Sequence, residues 1–290
     1  MKLYAISDLH LDYAVNRKAL LELPAHPQDW LIVAGDVGES IELLQLALSE
    51  LTARFARVIW APGNHDLWTA SKELGAPRGR AKYELMVALC RSFGVSTPED
   101  PYLEWPAPGP KFLLAPIFTL YDYSFRPDGV SLAEALPWAA EEGIVCADEH
   151  LLHPHPFVSR EDWCTNRCAL TTARLSRVEG DSTLILIGHF PLRQELAVLP
   201  RVPRFCIWCG TTLTQDWHTR FNATVVVSGH LHIRSTRWID GVRFEEVSFG
   251  YPRQRRVELG LEPYLREILP GPAAVAGTTR PTFYGLSPGH

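Results

Sequence analysis

The sequence predicts an α/β fold whose strands end in polar clusters. Three observations predict it. Short apolar, often β-branched runs recur in the first and last thirds of the chain, at residues 3–6, 31–34, 58–61, 183–187 and 224–227. Helical spacing of apolar residues fills the gaps between the early runs. Most runs are followed at once by Asp, Asn or His, so these side chains gather at one edge of a sheet, where open α/β sheets bind their ligands.

Taken in order, the strand at 3–6 leads through a loop to a helix at about 17–23. A strand at 30–34 precedes a helix at 40–55, with Ile41, Leu44, Leu48, Leu51 and Phe55 on one face. The strand at 58–61 ends in Pro62-Gly63-Asn64-His65-Asp66. This alternation implies a sheet covered by helices on both faces. Residues 72–180 are less regular. Helical patterns cover 80–93, 131–142 and 159–178, the last opened by the capping signal Ser159-Arg160-Glu161-Asp162. A strand is expected at 112–116 and an aromatic loop at 120–127. The whole stretch is expected to form a cap-like insertion over the ligand edge. Strands return at 183–187, 224–227, 237–239 and 242–247, the last two joined by the turn dipeptide Asp240-Gly241. One domain is expected over 1–265, followed by a loose tail at 266–290 that is rich in Pro, Gly, Ala and Thr from Pro270 onward.

The chain has 290 residues, 46% of them hydrophobic, enough for a large core. A net charge of −5 argues against a nucleic-acid coat, which needs a basic face. No apolar run is long enough to span a membrane, and none at the start has the form of a signal peptide. Six cysteines are too few for a disulfide scaffold of this length. A cytoplasmic protein with reduced thiols is expected.

The polar clusters are Asp8-Leu9-His10, Gly35-Asp36, Gly63-Asn64-His65-Asp66, Gly188-His189 and Gly229-His230-Leu231-His232. Carboxylate, imidazole and amide oxygen suit Mn, Fe or Zn. Asp8 and His10 are two apart, as are His230 and His232, so an extended backbone would send each pair to one side. Asp36, in a Gly-Asp turn, can bridge two ions. The expected sets are Asp8, His10, Asp36 and His232 for one metal, and Asp36, Asn64, His189 and His230 for the other. Two such ions lower the pKa of bound water and clamp a phosphate from both sides. His65 is surplus to the ligand count and is expected to protonate the leaving oxygen or to hydrogen-bond the phosphate. Asp66 is expected to orient His65 or raise its pKa. Each cluster alone is weak, since Gly-Asp is mostly a turn and a lone histidine is mostly structural. Five in order at strand ends are not.

Other residues invite weaker readings. Tyr121, Asp122 and Tyr123 are candidate substrate contacts, with core packing as the alternative. Arg193, with Arg201 and Arg204, is a candidate for an anionic group, against a solvated arginine. Cys164, Cys168, Cys206 and Cys209 have spacings compatible with a zinc site but read better as packing residues. His153 and His155 read as part of a Pro-flanked loop.

The five clusters resemble the calcineurin-like metallophosphoesterases. The resemblance implies a four-layer αββα sandwich of two mixed sheets, a dinuclear metal centre and metal-dependent hydrolysis at phosphorus. A narrower resemblance, to an actinobacterial branch, rests on residues 29–36 and 120–125, Trp208-Cys209-Gly210-Thr211, Asp216-Trp217-His218, residues 240–248 and Gly250-Tyr251-Pro252-Arg253. That branch includes a mycobacterial phosphopantetheinyl hydrolase that removes 4′-phosphopantetheine from acyl carrier protein. The resemblance implies a phosphodiesterase. A phosphomonoesterase acting on a small intermediate or nucleotide, and a metal-bound interaction module without catalysis, are the alternatives.

Overall fold

The computed structural model describes residues 1–70, 75–106, 108–178, 182–272 and 281–283. In chain order these form β1 (Leu3–Ile6), α1 (Ala14–Leu21), β2 (His26–Ala34), α2 (Ile41–Arg54), β3 (Phe55–Ala61), α3 (Arg80–Ser92), β4 (Leu103–Glu104) and β5 (Phe112–Pro116). There follow α4 (Ala135–Ala140), α5 (Asp148–Leu151), α6 (Arg160–Leu175), β6 (Thr183–Ile187), α7 (Trp217–Arg220), β7 (Ala223–Ser228), β8 (Ser235–Ile239), β9 (Val242–Glu246), β10 (Arg266–Leu269) and β11 (Thr282–Phe283).

Two mixed sheets pack face to face. One has the order β10-β1-β2-β3, the other β11-β8-β9-β7-β6-β5-β4. β1, β2 and β3 run parallel, as do β5, β6, β7 and β9, with antiparallel strands at the margins. Alternate residues of the parallel strands serve different cores. Ile32, Ala34, Ile59 and Ala61 meet Ile185, Ile187, Val225 and Val227 between the sheets. Leu31, Val33, Val58 and Trp60 point the other way, against Leu44, Leu48 and Leu51 of α2 and Tyr83 and Met86 of α3. Burial on both faces explains why the strands read as continuous apolar runs. α2 packs on β3 and α7 on β7. The result is the four-layer α/β sandwich, with two mixed sheets at its centre.

Helix starts follow local chemistry. Ser40 accepts Leu43 N–H and opens α2, and Ser159 accepts Asp162 N–H and opens α6. The helix expected at 17–23 begins earlier, at Ala14.

Two expectations on organisation need correcting. Residues 72–180 do not form one cap. α3 covers the first sheet, and β4 and β5 are strands of the second. Both limits of the expected insertion, Lys72 and Gly180, lie outside the described residues. The tail does not begin at 266, because β10 pairs antiparallel with β1 and buries Ile268 between the sheets. Phe283 of β11 pairs with Ser235. The rest of the expected tail, 273–280 and 284–290, lies outside the described residues.

The sheets join at the ligand edge. Ser7 bridges to Ser248, with Ser7 N–H donating to Val247 at 3.1 Å and Phe249 N–H donating to Ser7 at 2.8 Å. The ends of β1 and β9 therefore deliver their following loops to one place.

Candidate metal centre

Every residue expected to ligate a metal lies at this edge, and most are buried: Asp8, His10, Asp36, Asn64 and His189 are each 3% exposed or less. The route by which i and i+2 residues converge is not the expected one. Asp8, His10, Asp36, His230 and His232 all have positive φ, between 43° and 71°. Left-handed turns, not extended alternation, aim the side chains inward. Such conformations cost about 1–3 kcal/mol each and persist where the surroundings enforce them. Here the enforcement is visible: Asp8 N–H donates to Gly35 and His10 N–H to Asp36, at 2.9 and 3.1 Å.

The polar atoms crowd. His232 Nε2 is 3.0 Å from Asp8 Oδ1 and 3.2 Å from His10 Nε2. His189 Nε2 is 3.1 Å from Asn64 Oδ1 and 3.4 Å from Asp36 Oδ2. His230 Nδ1 is 3.2 Å from the same Asn64 oxygen. Asp8, His10 and His232 form one group able to hold an ion, and Asp8, Asp36 and His189 another. Asp36 also lies in a third, with His10 and His65, and Asp8, His10 and Asp36 are each shared between two of these groups.

The outer partners fix what each candidate ligand presents. His189 Nδ1 donates to the Ala34 carbonyl at 2.9 Å, leaving the Nε2 lone pair facing in. His232 Nδ1 meets Gln254 Oε1 at 2.7 Å, and that oxygen also accepts Tyr251 N–H at 2.9 Å. His232 is therefore the donor there, and its Nε2 lone pair faces Asp8. Partners of this kind commonly orient metal-bound histidines. Asp8 Oδ2 accepts the Ser7 and Ser248 hydroxyls at 2.5 and 2.7 Å and His230 N–H at 3.0 Å, which turns Oδ1 toward the imidazoles. Tyr251 stacks on His10 with ring centroids 4.4 Å apart, and Trp68 lies over His65 at 3.6 Å.

This donor set fits divalent metals. Lone pairs of His232, His189, Asn64, Asp8 and Asp36 converge at about 3 Å, a crowding that only a cation or a proton relieves. The His230 ring turns Nδ1 to the Asn64 oxygen, and its Nε2 is buried without a hydrogen-bond partner. Protons answer to the same field. Burial opposes charge on His189, yet the Asp36 and Asp8 carboxylates push its pKa up to about 10. Burial also opposes ionisation of Asp36, but His189 and His65 hold it well below the usual carboxylate range. His10 and His230 are pushed down to about 3, chiefly by burial, and stay uncharged.

His65 stands beside the ligands, with Nε2 4.0 Å from Asp36 Oδ2. Its Nδ1 faces Glu39 Oε1 at 3.5 Å, so Glu39, not Asp66, is the carboxylate at that nitrogen. Asp66 has another task. Its two oxygens accept backbone N–H groups of Asp36, Val37 and Gly63 at 2.8–2.9 Å, locking the Gly35-Asp36 and Gly63-Asn64 turns together. Burial and the charge of Asp36 push the Asp66 carboxyl up to about 7 against those donors.

The expected substrate contacts are each engaged by other groups of the chain. Tyr121 is fully buried. Asp122 accepts the Ser124 and Thr211 hydroxyls, the first at 2.5 Å and the second at 2.8 Å. Tyr123 is 4% exposed and donates to Glu149 at 2.8 Å. Arg193 is held by Asp240 and Glu195, both at 3.0 Å. An aromatic run and a lone arginine carry no information about which face they take, and here packing and ion pairing claimed them. The four cysteines weighed for zinc are free thiols, and the ion-capable groups among the described residues contain no cysteine. His153 Nε2 binds the Thr69 carbonyl at 3.1 Å. Sequence reasoning missed Ser7, Glu39, Ser248, Gln254 and Asp148. Glu39 lies three residues after Asp36, a spacing that offered a hint. Asp148, in an irregular stretch, offered none.

The calcineurin-like phosphoesterase family profile matches residues 1–234. The chain is 47% identical over 279 residues to the acyl-carrier-protein phosphodiesterase PptH of Mycobacterium tuberculosis (strain ATCC 25618 / H37Rv), an alignment covering 95% of this chain and 85% of that protein. The crystal structure of phosphopantetheinyl hydrolase (PptH) from Mycobacterium tuberculosis matches with a TM-score of 0.88 at 46% identity, covering 95% of this chain and 98% of that one. With the fold and the convergent donor set, these likenesses establish that the chain belongs to the calcineurin-like phosphoesterases and is a metal-dependent phosphoric ester hydrolase.

Proposed function

We propose that this chain releases 4′-phosphopantetheine from acyl carrier protein by hydrolysing the phosphodiester at the carrier serine, with two ions of Mn, Fe or Zn. The observation that carries the substrate is the near full-length likeness to an acyl-carrier-protein phosphodiesterase. Asp8, His10, Asp36 and His232 would hold one ion and Asp36, Asn64, His189 and His230 the other. When bound, such a pair supplies a water-derived nucleophile at neutral pH and offsets charge on the phosphate. The remaining work belongs to the chain. His65, backed by Glu39 at Nδ1, hands a proton from Nε2 to the departing serine oxygen. Trp68 and Tyr251 pack against His65 and His10 and hold those rings at the polar edge. Asp66 keeps the two ligand-bearing turns at fixed separation.

The test is mass spectrometry of holo acyl carrier protein incubated with the Mn²⁺-loaded chain. The expected result is loss of the whole phosphopantetheine arm, leaving an unmodified serine. An unchanged carrier mass, under conditions in which bis(p-nitrophenyl) phosphate is cleaved, would exclude this substrate. p-Nitrophenyl phosphate at the same metal loading is expected to turn over more slowly than the diester.

A further inference from the structure

Asp148 is a fully buried carboxylate at the start of α5, with no place in the ligand set. One of its oxygens, Oδ1, accepts from Asn64 Nδ2 at 2.9 Å and from Trp68 Nε1 at 2.6 Å. The two ends of an Asn amide are nearly the same size and opposite in chemistry. Only the oxygen end can face a cation. Asn64 Oδ1 faces His189 and His230, and it does so because its amino end is spoken for by Asp148. Rotating the amide by half a turn would put N–H groups against the metal position and a carbonyl oxygen against a carboxylate. The second bond seats the Trp68 indole, which lies over His65 at 3.6 Å.

The element carrying Asp148 is itself clamped. Thr69 N–H donates to Leu151 at 2.9 Å, tying the end of α5 to the chain just after Trp68. Arg160, at the head of α6, donates to the Asp148 and Leu152 carbonyls at 3.4 and 3.2 Å. The carboxylate is thus delivered by the segment between β5 and β6 to a ligand that follows β3, 84 residues away in sequence.

We propose that Asp148 is a positioning residue for the metal centre: it fixes the amide of Asn64 oxygen-inward and seats Trp68 over His65. The inference rests on the reading of Asn64 as a ligand. Removing such a supporting acceptor typically weakens metal binding about 10–100-fold.

The experiment strips the full chain with chelator and follows Mn²⁺ binding by calorimetry. Asp148→Ala is expected to weaken the second Mn²⁺ by about 10–100-fold. Asp148→Asn, which keeps an acceptor oxygen at the same place, is expected to restore most of that affinity. Asn64→Ala and the Asn64→Ala/Asp148→Ala double variant are expected to bind alike, because Asp148 acts through Asn64. Should Asp148→Ala not fold, Asp148→Leu, similar in size and without an acceptor, takes its place with the same expectation. Unchanged Mn²⁺ affinity on removing the carboxylate would overturn the inference. So would an Asp148→Asn chain as weak as Asp148→Ala, or an equal loss with and without Asn64. The readout is metal affinity, so a chain that titrates as expected but leaves holo acyl carrier protein intact would remove the substrate assignment alone.

Discussion

Of the eight non-glycine residues with positive φ among the described residues, five are expected metal ligands. Strain is concentrated where the chemistry is. The convergence of these residues was legible in the sequence because most of the clusters follow an apolar, often β-branched run that ends at the same sheet edge. Their partners were less legible. Asp66 looked like a partner of its neighbour His65, but adjacency in sequence says little about facing in space, and its oxygens went to backbone donors of two turns. The Tyr121–Tyr123 run could not announce which way its rings point. Two predictions belong at this scale. His65→Ala should lower kcat by about 10²–10⁴-fold, the usual worth of a general acid, with metal content by elemental analysis unchanged at two per chain. Loss of metal together with activity would instead make His65 a ligand. Gly63→Ala should abolish metal binding, since its Cβ would fall 2.1 Å from Asp36 Oδ1 and 2.5 Å from the Asp36 nitrogen. Metal content and diesterase activity check it.

Among the elements, those with a clean period were read from sequence nearly residue for residue: β1, β5 and β6 fall at the expected positions. β10 was missed because Arg266-Glu267-Ile268-Leu269 is short and half charged, and only its pairing with β1 makes it a strand. The middle of the chain was misjudged because irregular loops separate α3, β4 and β5, hiding that they complete the sandwich. Capping was readable, and it is testable. Ser159→Ala should cost about 1 kcal/mol of stability through loss of the bond to Asp162 N–H, measured as a lowered denaturant midpoint. Arg167 on α6 makes an ion pair with Glu99 at 2.7 Å. Burial opposes ionisation of Glu99, but the Arg167 guanidinium and the Tyr83 hydroxyl hold its carboxyl below its ordinary 4.5. A depressed folded pKa gives stability that is present above 4.5 and lost as pH falls through the folded value. Glu99→Gln should therefore lower stability near neutrality, flatten the acid limb of a stability–pH profile, and differ little from the unaltered chain once pH falls below the folded value.

For the molecule as a whole, two sheets are held by an apolar layer between them, and a polar edge is assembled from both. Asp8, Asp36 and Asn64 come from the first sheet's strand ends; His189, His230 and His232 come from the second's. The metal centre therefore staples the sandwich at one rim, and ligands that bind only the folded state stabilise it by about 2.7 kcal/mol per site at a hundredfold excess over Kd. Metal binding is expected to depend on that assembly from distant segments, with Asp36 shared. Metal analysis of the Mn²⁺-reconstituted chain beside its Asp36→Ala variant tests it most directly. Two ions are expected per wild-type chain, with near-complete loss of both metal and phosphodiesterase activity in the variant. Two ions retained by Asp36→Ala, or a wild-type chain that holds none, would contradict it.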